Sequence, residues 1–588
     1  MLLAATYQLT TDPVGGSLGL SSIFAVLPLV TLFILLGGLR MKAWAAGLIS
    51  LLVALLVAIF VYGMPVSQGL LSASEGAAFG FFPILWVVIN AIWVYNLTVQ
   101  SGHFEVLRRS FEKVSPDLRI MAVIIAFCFG GLLEALAGFG TPVAISVVML
   151  MGLGLTPLKS AVIALIANTA PVAFGALATP IVTLASVTSG VSDAPGLDVD
   201  TLGAMAGRQT PILAAIVPLI LVYVVDGKRG LRQTWLPALV AGVTFGIAQF
   251  VTANYISVPL TDIVASLVAA ACVVALLRVW QPAEVVAAEA RDRGVGSGAG
   301  TEGDRGGSDG TTVDAAGGTS GRAASGSAGL ATAQPVRDSG SDVAKAYAPY
   351  LIIIAIFSIA NLAGIKAALA AEPWTIKFPW PGLDVLTSTG APQSSATFTF
   401  NWLAAAGSLM ILAGLVTMLV LKISPAQALK TYFRTYYELR FAILTVMAVL
   451  GLAYVMNQSG QTATLGGFLA GTGAFFAFLS PILGWIGVAV TGSDTSANAL
   501  FGALQVQSAA QAGLDPVLLA AANSSGGVMG KMVSPQNLAI AASAVGMSGQ
   551  EGEIFRKVIG WSLALLLFMC VLVVLQSTPV LDWMVPTP

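Results

Sequence analysis

Runs of roughly twenty apolar residues recur from one end of this 588-residue chain to the other, and that length is what a helix needs to cross about 30 Å of hydrocarbon. They lie near residues 22–39, 43–62, 79–100, 118–136, 203–225, 234–252, 258–279, 347–370, 400–421, 436–457 and 557–576. Only 9% of the residues are charged, against roughly 25% in a soluble domain. So few charges cannot coat a water-exposed surface, so lipid is the solvent for most of the chain. The expected fold class is an all-α polytopic membrane protein of about 12–14 membrane segments. Residues 1–22 hold no Lys or Arg, and the first apolar run ends at Arg40 without a small-residue cleavage site. That run reads as a membrane helix, not a secretory signal.

Several functions are made improbable by what the sequence lacks. The net charge is −1, which offers nothing to a nucleic acid or an anionic surface. Cys128, Cys272 and Cys570 each stand alone in apolar runs, without the spacing of a disulfide or a metal site. The lone histidine, His103, falls in a charged loop and reads as a solvated side chain. No cofactor and no metal is expected, and no catalytic constellation suggests an enzyme. The oligomeric state is not legible.

Residues 281–346 differ from the rest. They are rich in Gly, Ser, Ala and Asp, and they hold 15 of the 55 charges. With few large apolar residues no core can form, so this stretch reads as a disordered linker. Basic residues orient the segments. Arg40 and Lys42, then Arg108, Arg109, Lys113 and Arg119, then Lys228, Arg229 and Arg232 mark cytoplasmic loops, as do Lys422, Lys430, Arg434, Arg556 and Lys557 later on. Residues 188–202, 458–463 and 577–588, like 1–22, have none. Both termini are therefore expected outside and the linker in the cytoplasm. The expected organisation is a membrane repeat over 1–225, two connecting helices over 226–280, the linker, and a second repeat over 347–588.

That second repeat rests on four matches. VQSG (Val99–Gly102) recurs as NQSG (Asn457–Gly460), GFGTP (Gly138–Pro142) as GSDTS (Gly492–Ser496), and Ala167-Asn168-Thr169 as Ala522-Asn523-Ser524. Thr179-Pro180 then recurs as Ser534-Pro535. The offsets are 358, 354, 355 and 355. One such match is weak; four in order point to duplication. The loop after VQSG is basic, whereas QTATLGG after NQSG is not, so the copies are expected to run in opposite directions across the bilayer. Inverted repeats with interrupted helices meeting near the midplane are a common transporter plan.

The interruptions fall in 137–187 and 464–545, which are apolar but broken by Gly, Pro, Asn, Ser and Thr. Glycine permits the turns that end a helix and lets the backbone approach a ligand, while short polar side chains satisfy the freed backbone groups. Free helix N-termini favour a carboxylate. Candidate contacts for a small organic anion are Gly138, Gly140, Thr141, Asn168, Thr169, Ser493, Thr495, Asn498, Asn523 and Ser524. Close helix packing through small residues is the plainer explanation, and two copies of the whole pattern weigh against it. Three ionisable residues stand out as well, because a charge at the bilayer centre costs about 2.5–3.5 kcal/mol on insertion scales. Glu134, Asp494 and Lys531 have no charged counterpart in the other copy, where Val488, Gly140 and Ala176 stand. Lys531 is the candidate for a substrate carboxylate, and Glu134 and Asp494 for a proton carrier. A purely structural Lys531–Asp494 bridge is the alternative.

EALAGFGTPVAI (Glu134–Ile145), IANTAPVAFGA (Ile166–Ala176), TGSDTSANALFG (Thr491–Gly502) and NSSGGVMGKMVSPQ (Asn523–Gln536) resemble the signature segments of the L-lactate permease family. The resemblance covers both halves but not the linker, which looks like an insertion peculiar to this chain. It implies a multi-pass plasma-membrane permease that takes up L-lactate, often glycolate and related 2-hydroxy monocarboxylates, together with a proton. It also implies kinship with a wider set of anion transporters with re-entrant hairpins, here within 137–155 and 464–492. A sodium-coupled carrier of another small organic anion is the competing expectation, since broken helices also offer carbonyls and hydroxyls to sodium.

Overall fold

The computed structural model describes residues 6–112, 114–138, 140–192, 194–286, 338–388 and 390–587. Most of the expected linker therefore lies outside the described residues, and its last residues already belong to a helix starting at Gly340. Among the described residues ten helices are long and apolar enough to cross a membrane, and Pro157–Ala167 with Val172–Thr188 forms a further pair bent by 64°.

The first half runs through α1 (Leu18–Gly38), α2 (Ala43–Phe60) and α3 (Val66–Gln100), then α4 (His103–Glu112) and α5 (Leu118–Ala137). Next come α6 (Thr141–Gly152), α7 (Pro157–Ala167), α8 (Gly175–Thr188), α9 (Val199–Tyr255) and α10 (Thr261–Leu277). The 57 residues of α9 are two spans, parted where Asp226, Gly227 and Thr234 leave helical geometry. The second half holds α11 (Gly340–Ala360), α12 (Ala363–Ala370), α13 (Ala406–Val420), α14 (Pro425–Ser459), α15 (Gln461–Ala470) and α16 (Phe476–Thr491). It ends with α17 (Asp494–Ala512), α18 (Pro516–Gly530), α19 (Pro535–Ala544) and α20 (Glu551–Gln576).

The same order of elements occurs twice. From α2 to the first span of α9, each helix has a counterpart from α13 to α20. Both α3 and α14 have 35 residues, and each ends on a glycine with positive φ, Gly102 at 75° and Gly460 at 95°. The next interruptions also match, at Gly138 (φ 46°) and Gly140 (φ 85°) in one half and Gly492 (φ 77°) in the other. Contacts between the halves come in reciprocal pairs: α2 packs on α14 while α13 packs on α3, and α8 packs on α17 while α19 packs on α6.

The interruptions are not equivalent in detail. Asn168 caps the end of α7, where the chain breaks before α8. Its counterpart Asn523 lies inside α18, whose break comes later, at Lys531–Val533. The first copy instead stores strain at its break. Ala176, Leu177 and Ala178 all take positive φ, between 43° and 58°, a conformation that costs roughly 1–2 kcal/mol per non-glycine residue. Small residues allow close crossings: a Cβ on Gly484 would overlap the carbonyl of Asn523, and one on Gly526 the carbonyl of Pro481.

Residues 371–405, between α12 and α13, carry strands, where the hydropathy pattern suggested only membrane segments on either side. Strand β1 (Tyr7–Gln8) pairs in parallel with β3 (Val385–Leu386), and β2 (Ile376–Pro379) pairs antiparallel with β4 (Thr397–Phe400). Tyr7 Oη donates to the carbonyl of Ser459 at 2.8 Å, and Tyr62 Oη donates to Thr464 Oγ1 at 2.8 Å. This cap therefore sits where α2 and α14 end.

Candidate functional site

A cavity of about 1140 Å³ enters the bundle from the end where α2 and α20 begin. Arg40, Lys42 and Glu551 line its outer part and are accessible, whereas Glu134, Asp494 and Lys531 line its inner part and are at least 94% buried. Two basic groups flank the entrance, an arrangement that draws anions inward.

At the inner end Lys531 Nζ meets Glu134 Oε1 at 2.5 Å, and Asn168 Nδ2 donates to Glu134 Oε2 at 2.9 Å. The pair joins residues 397 apart in sequence. Local breaks bring it about. Glu134 stands on the last turn of α5, one turn before Gly138 ends the helix. Lys531 opens the short turn that separates α18 from α19, where Asn537 Nδ2 donates to its carbonyl at 3.2 Å. Gly175 makes room for the carboxylate: a Cβ there would lie 2.8 Å from Glu134 Oε1. A buried ion pair costs several kcal/mol of desolvation per ion and survives only with good geometry and further hydrogen bonds. Here the extra bond comes from Asn168.

Asp494, on the first turn of α17, does not pair with Lys531. Ser524 Oγ donates to its Oδ2 at 2.5 Å, and its Oδ1 has no partner among the described residues. Gly527 faces that carboxylate, and a Cβ there would overlap Oδ1. The bridge considered from sequence is thus replaced by one between Lys531 and Glu134, because the turn after α18 aims the lysine at α5.

Of the other candidates, Gly138, Ser493 and Thr495 line the cavity beside the three ionisable groups. Asn168 and Ser524 lie behind the lining and hold the two carboxylates. Asn523 and Asn498 hold each other: Asn523 Nδ2 donates to Asn498 Oδ1 at 2.9 Å, Gln505 Nε2 donates to Asn523 Oδ1 at 3.0 Å, and Asn498 Nδ2 donates to the carbonyl of Pro180 at 3.0 Å. This chain of amides ties α17 and α18 to α8. Gly140 and Thr141 start α6, away from the cavity wall. Thr169 Oγ1 turns back to the carbonyl of Leu165.

Two further buried carboxyls were not singled out from sequence. Glu75 accepts from Gln458 Nε2 at 2.7 Å, and Asp262 from Gln249 Nε2 at 3.0 Å; both side chains are fully buried. The signal for Asp262 was present, since it lies in the apolar run 258–279. Glu75 was hidden because its helix continues the 79–100 run backwards to Val66. Arg119, fully buried, is held by Asp117 at 2.8 Å and by Gln233 Oε1 at 2.6 Å. Among the described residues no group of three or more His, Cys, Asp or Glu could hold a metal ion.

The family profile described as L-lactate permease matches residues 21–580. The L-lactate permease of Escherichia coli K12 is 39% identical, with 99% of this chain and 100% of that protein covered. The L-lactate permease of Bacillus subtilis is 38% identical, covering 98% and 99% respectively. The glycolate permease of Escherichia coli K12 is also 38% identical, covering 96% and 97%. A multi-pass helical protein with a charged, half-open cavity matched over nearly its whole length by these permeases is placed by them: the chain belongs to the L-lactate permease family.

Proposed function

We propose that this chain carries L-lactate, and with it glycolate and related 2-hydroxy monocarboxylates, into the cell together with a proton. The names of its relatives support the substrate class. The observation that carries the coupling is the Glu134–Lys531 ion pair at the closed end of the cavity.

Lys531 is the cation that a carboxylate entering the cavity would seek, yet Glu134 already occupies it. A proton on Glu134 removes that competitor and frees the ammonium for the substrate, whose charge then replaces that of Glu134. Anion binding without the proton would place two carboxylates on one lysine in a buried site, where an unpaired charge is strongly disfavoured. Proton and substrate therefore bind together or not at all. Moving them together cancels the penalty of about 2.3 kcal/mol per 100 mV that a lone anion meets on entering a negative-inside cell. Asp494, with one free oxygen on the same wall, is the second candidate for the carrier. Ser493 and Thr495 offer hydroxyls beside it.

The proposed orientation puts the Arg40 and Lys42 mouth in the cytoplasm and the strand cap outside, with the two halves inverted. The repeated element order and the reciprocal contacts support that relation. In this reading the cavity is the inward-open state, and exchange of packing partners between the halves would open the other side.

The test is radiolabelled L-lactate uptake into membrane vesicles with an imposed pH gradient, acid outside, in sodium-free buffer. Uptake should rise with the gradient and collapse with a protonophore. Uptake indifferent to the gradient and dependent on sodium would replace this reading with the sodium-coupled one.

A further inference from the structure

One buried amide, that of Asn537, ties two chain breaks together beside the cavity. Asn537 stands on the first turn of α19. Its Nδ2 donates to Ser534 Oγ at 2.8 Å, to the carbonyl of Lys531 at 3.2 Å and to the carbonyl of Gly492 at 3.3 Å. Ser534 Oγ donates in turn to the Lys531 carbonyl at 3.1 Å. The two N–H bonds of one side chain thus serve three acceptors. Two of these belong to the turn that carries Lys531. The third belongs to the turn that leads into α17, whose start brings Ser493 and Thr495 to the cavity wall. Gly492 allows the approach: a Cβ there would lie 2.6 Å from Gln536 Oε1, on the same first turn of α19.

The repeat separates what this break shares with its counterpart from what it adds. At an offset of 355, Thr179 matches Ser534, Ala176 matches Lys531, and Val182 stands where Asn537 does. The hydroxyl clasp is common to both copies, since Thr179 Oγ1 donates to the carbonyl of Ala176 as Ser534 does to that of Lys531. Such a clasp satisfies a carbonyl freed by the break, and it suffices where the residue held is an alanine. Valine has no donor, so the amide bridge belongs to the copy with the lysine alone. A residue needed only to close a break would be expected in both copies. A residue that places Lys531 against the α17 wall would be expected in one.

Resting on the reading of Lys531 as the substrate's cation, we propose that Asn537 is the positioning residue of the transport site. It fixes the spacing between the Lys531 turn and the start of α17, so that a small 2-hydroxy carboxylate meets the ammonium and the hydroxyls of Ser493 and Thr495 together. While Glu134 is charged, it holds the ammonium itself. Once Glu134 is neutral, the backbone of the turn limits where the lysine can reach, and Asn537 holds that backbone. The first half closes on the same place from the other side. A Cβ on Gly140, at that half's own break, would lie 3.7 Å from Asn537 Oδ1 and would overlap Ile540 Cδ1. The amide is therefore seated where breaks of both halves meet, and a small misplacement of a binding group there is costly.

The test is titration calorimetry of L-lactate into the purified full-length protein near neutral pH, which reads affinity and the fraction of competent molecules separately. Asn537→Leu keeps a similar shape and removes the donors. It should raise the dissociation constant for L-lactate by about tenfold while the fraction that binds stays at the wild-type level. Wild-type affinity would overturn the proposal, whether every molecule binds or only a reduced fraction, since the latter marks a purely structural residue. If Asn537→Leu yields no folded protein, Ser534→Ala takes its place, because it removes the hydroxyl shared by Asn537 and the Lys531 carbonyl. A rise of about threefold at full binding fraction is then expected, and unchanged affinity again overturns the proposal. Lys531→Ala in the same titration should bind no L-lactate. Binding by Lys531→Ala as tight as wild type would instead remove the reading of Lys531 itself, whatever Asn537→Leu does.

Discussion

At the scale of single residues, the account turns on whether the Glu134–Lys531 pair is structural or functional, and substitution separates the two. Lys531→Ala leaves a buried carboxylate without its cation, which costs about 3–5 kcal/mol when one partner of a buried pair is removed. The purified variant should melt at a lower temperature and should not take up lactate. The double variant Glu134→Ala with Lys531→Ala removes both charges, so its melting temperature should return most of the way while uptake stays absent. Uptake restored along with stability would make the pair a mere brace. Gly175→Ala is a gentler probe. Its methyl would press on Glu134 Oε1 from 2.8 Å and on Cγ from 3.1 Å, and loosening a buried ion pair should lower the melting temperature, by less than Lys531→Ala does. The carboxylate would be pushed off its lysine, and the half-saturation concentration for lactate should change severalfold in an uptake assay.

The residues themselves were largely legible. Glu134, Asp494 and Lys531 announce themselves because a charge in an apolar run needs a reason. Which of them pair was not legible, since 397 residues separate Glu134 from Lys531 and only the folded breaks aim one at the other. Asn523 shows the same limit. It matches Asn168 in the repeat, yet one caps a broken helix beside a carboxylate and the other sits mid-helix among amides.

Elements tell a related story. The repeat predicted breaks near Gly138 and Gly492, and positive φ occurs at both, because only glycine adopts that conformation without strain. The left-handed run Ala176–Ala178 carried no such signal; alanines and a leucine look like ordinary helix. Packing between elements is also set by glycine. Helices α16 and α18 cross so closely that a Cβ on Gly484 would overlap the backbone of Asn523, and backbone cannot rotate away as a side chain can. Gly484→Ala should therefore destabilise the protein by about 1–3 kcal/mol or more, read as a lowered melting temperature in detergent. An unchanged melting temperature would mean the crossing is looser than described. The strand cap over residues 371–405 escaped the sequence reading, because its short strands pair partly with the distant Tyr7–Gln8 and lack the periodicity of a half-buried sheet.

For the whole molecule, the cavity opens where α2 and α20 begin, and the proposed orientation assigns that side to the cytoplasm. Gln536, exposed on the cavity wall, is a suitable reporter once Cys128, Cys272 and Cys570 have been replaced. Gln536→Cys should react with a membrane-impermeant thiol reagent in inside-out vesicles and resist it in right-side-out ones. Reaction from the outer side alone would reverse the topology. Hydropathy made the membrane class plain and charge asymmetry made the orientation a specific expectation. The state of the cycle was not accessible to either, because a cavity open to one side reflects how the two halves pack and not what any segment contains.

The central claim, that the substrate replaces Glu134 at Lys531 as Glu134 takes up a proton, has a direct thermodynamic signature. Purified protein in weakly buffered solution near neutral pH should take up protons when L-lactate is added, one for each lactate bound, as Glu134 gives up Lys531 and becomes neutral. Glu134→Gln should bind lactate with no change in pH. Wild-type protein that binds lactate without proton uptake, or that releases protons, would contradict the account.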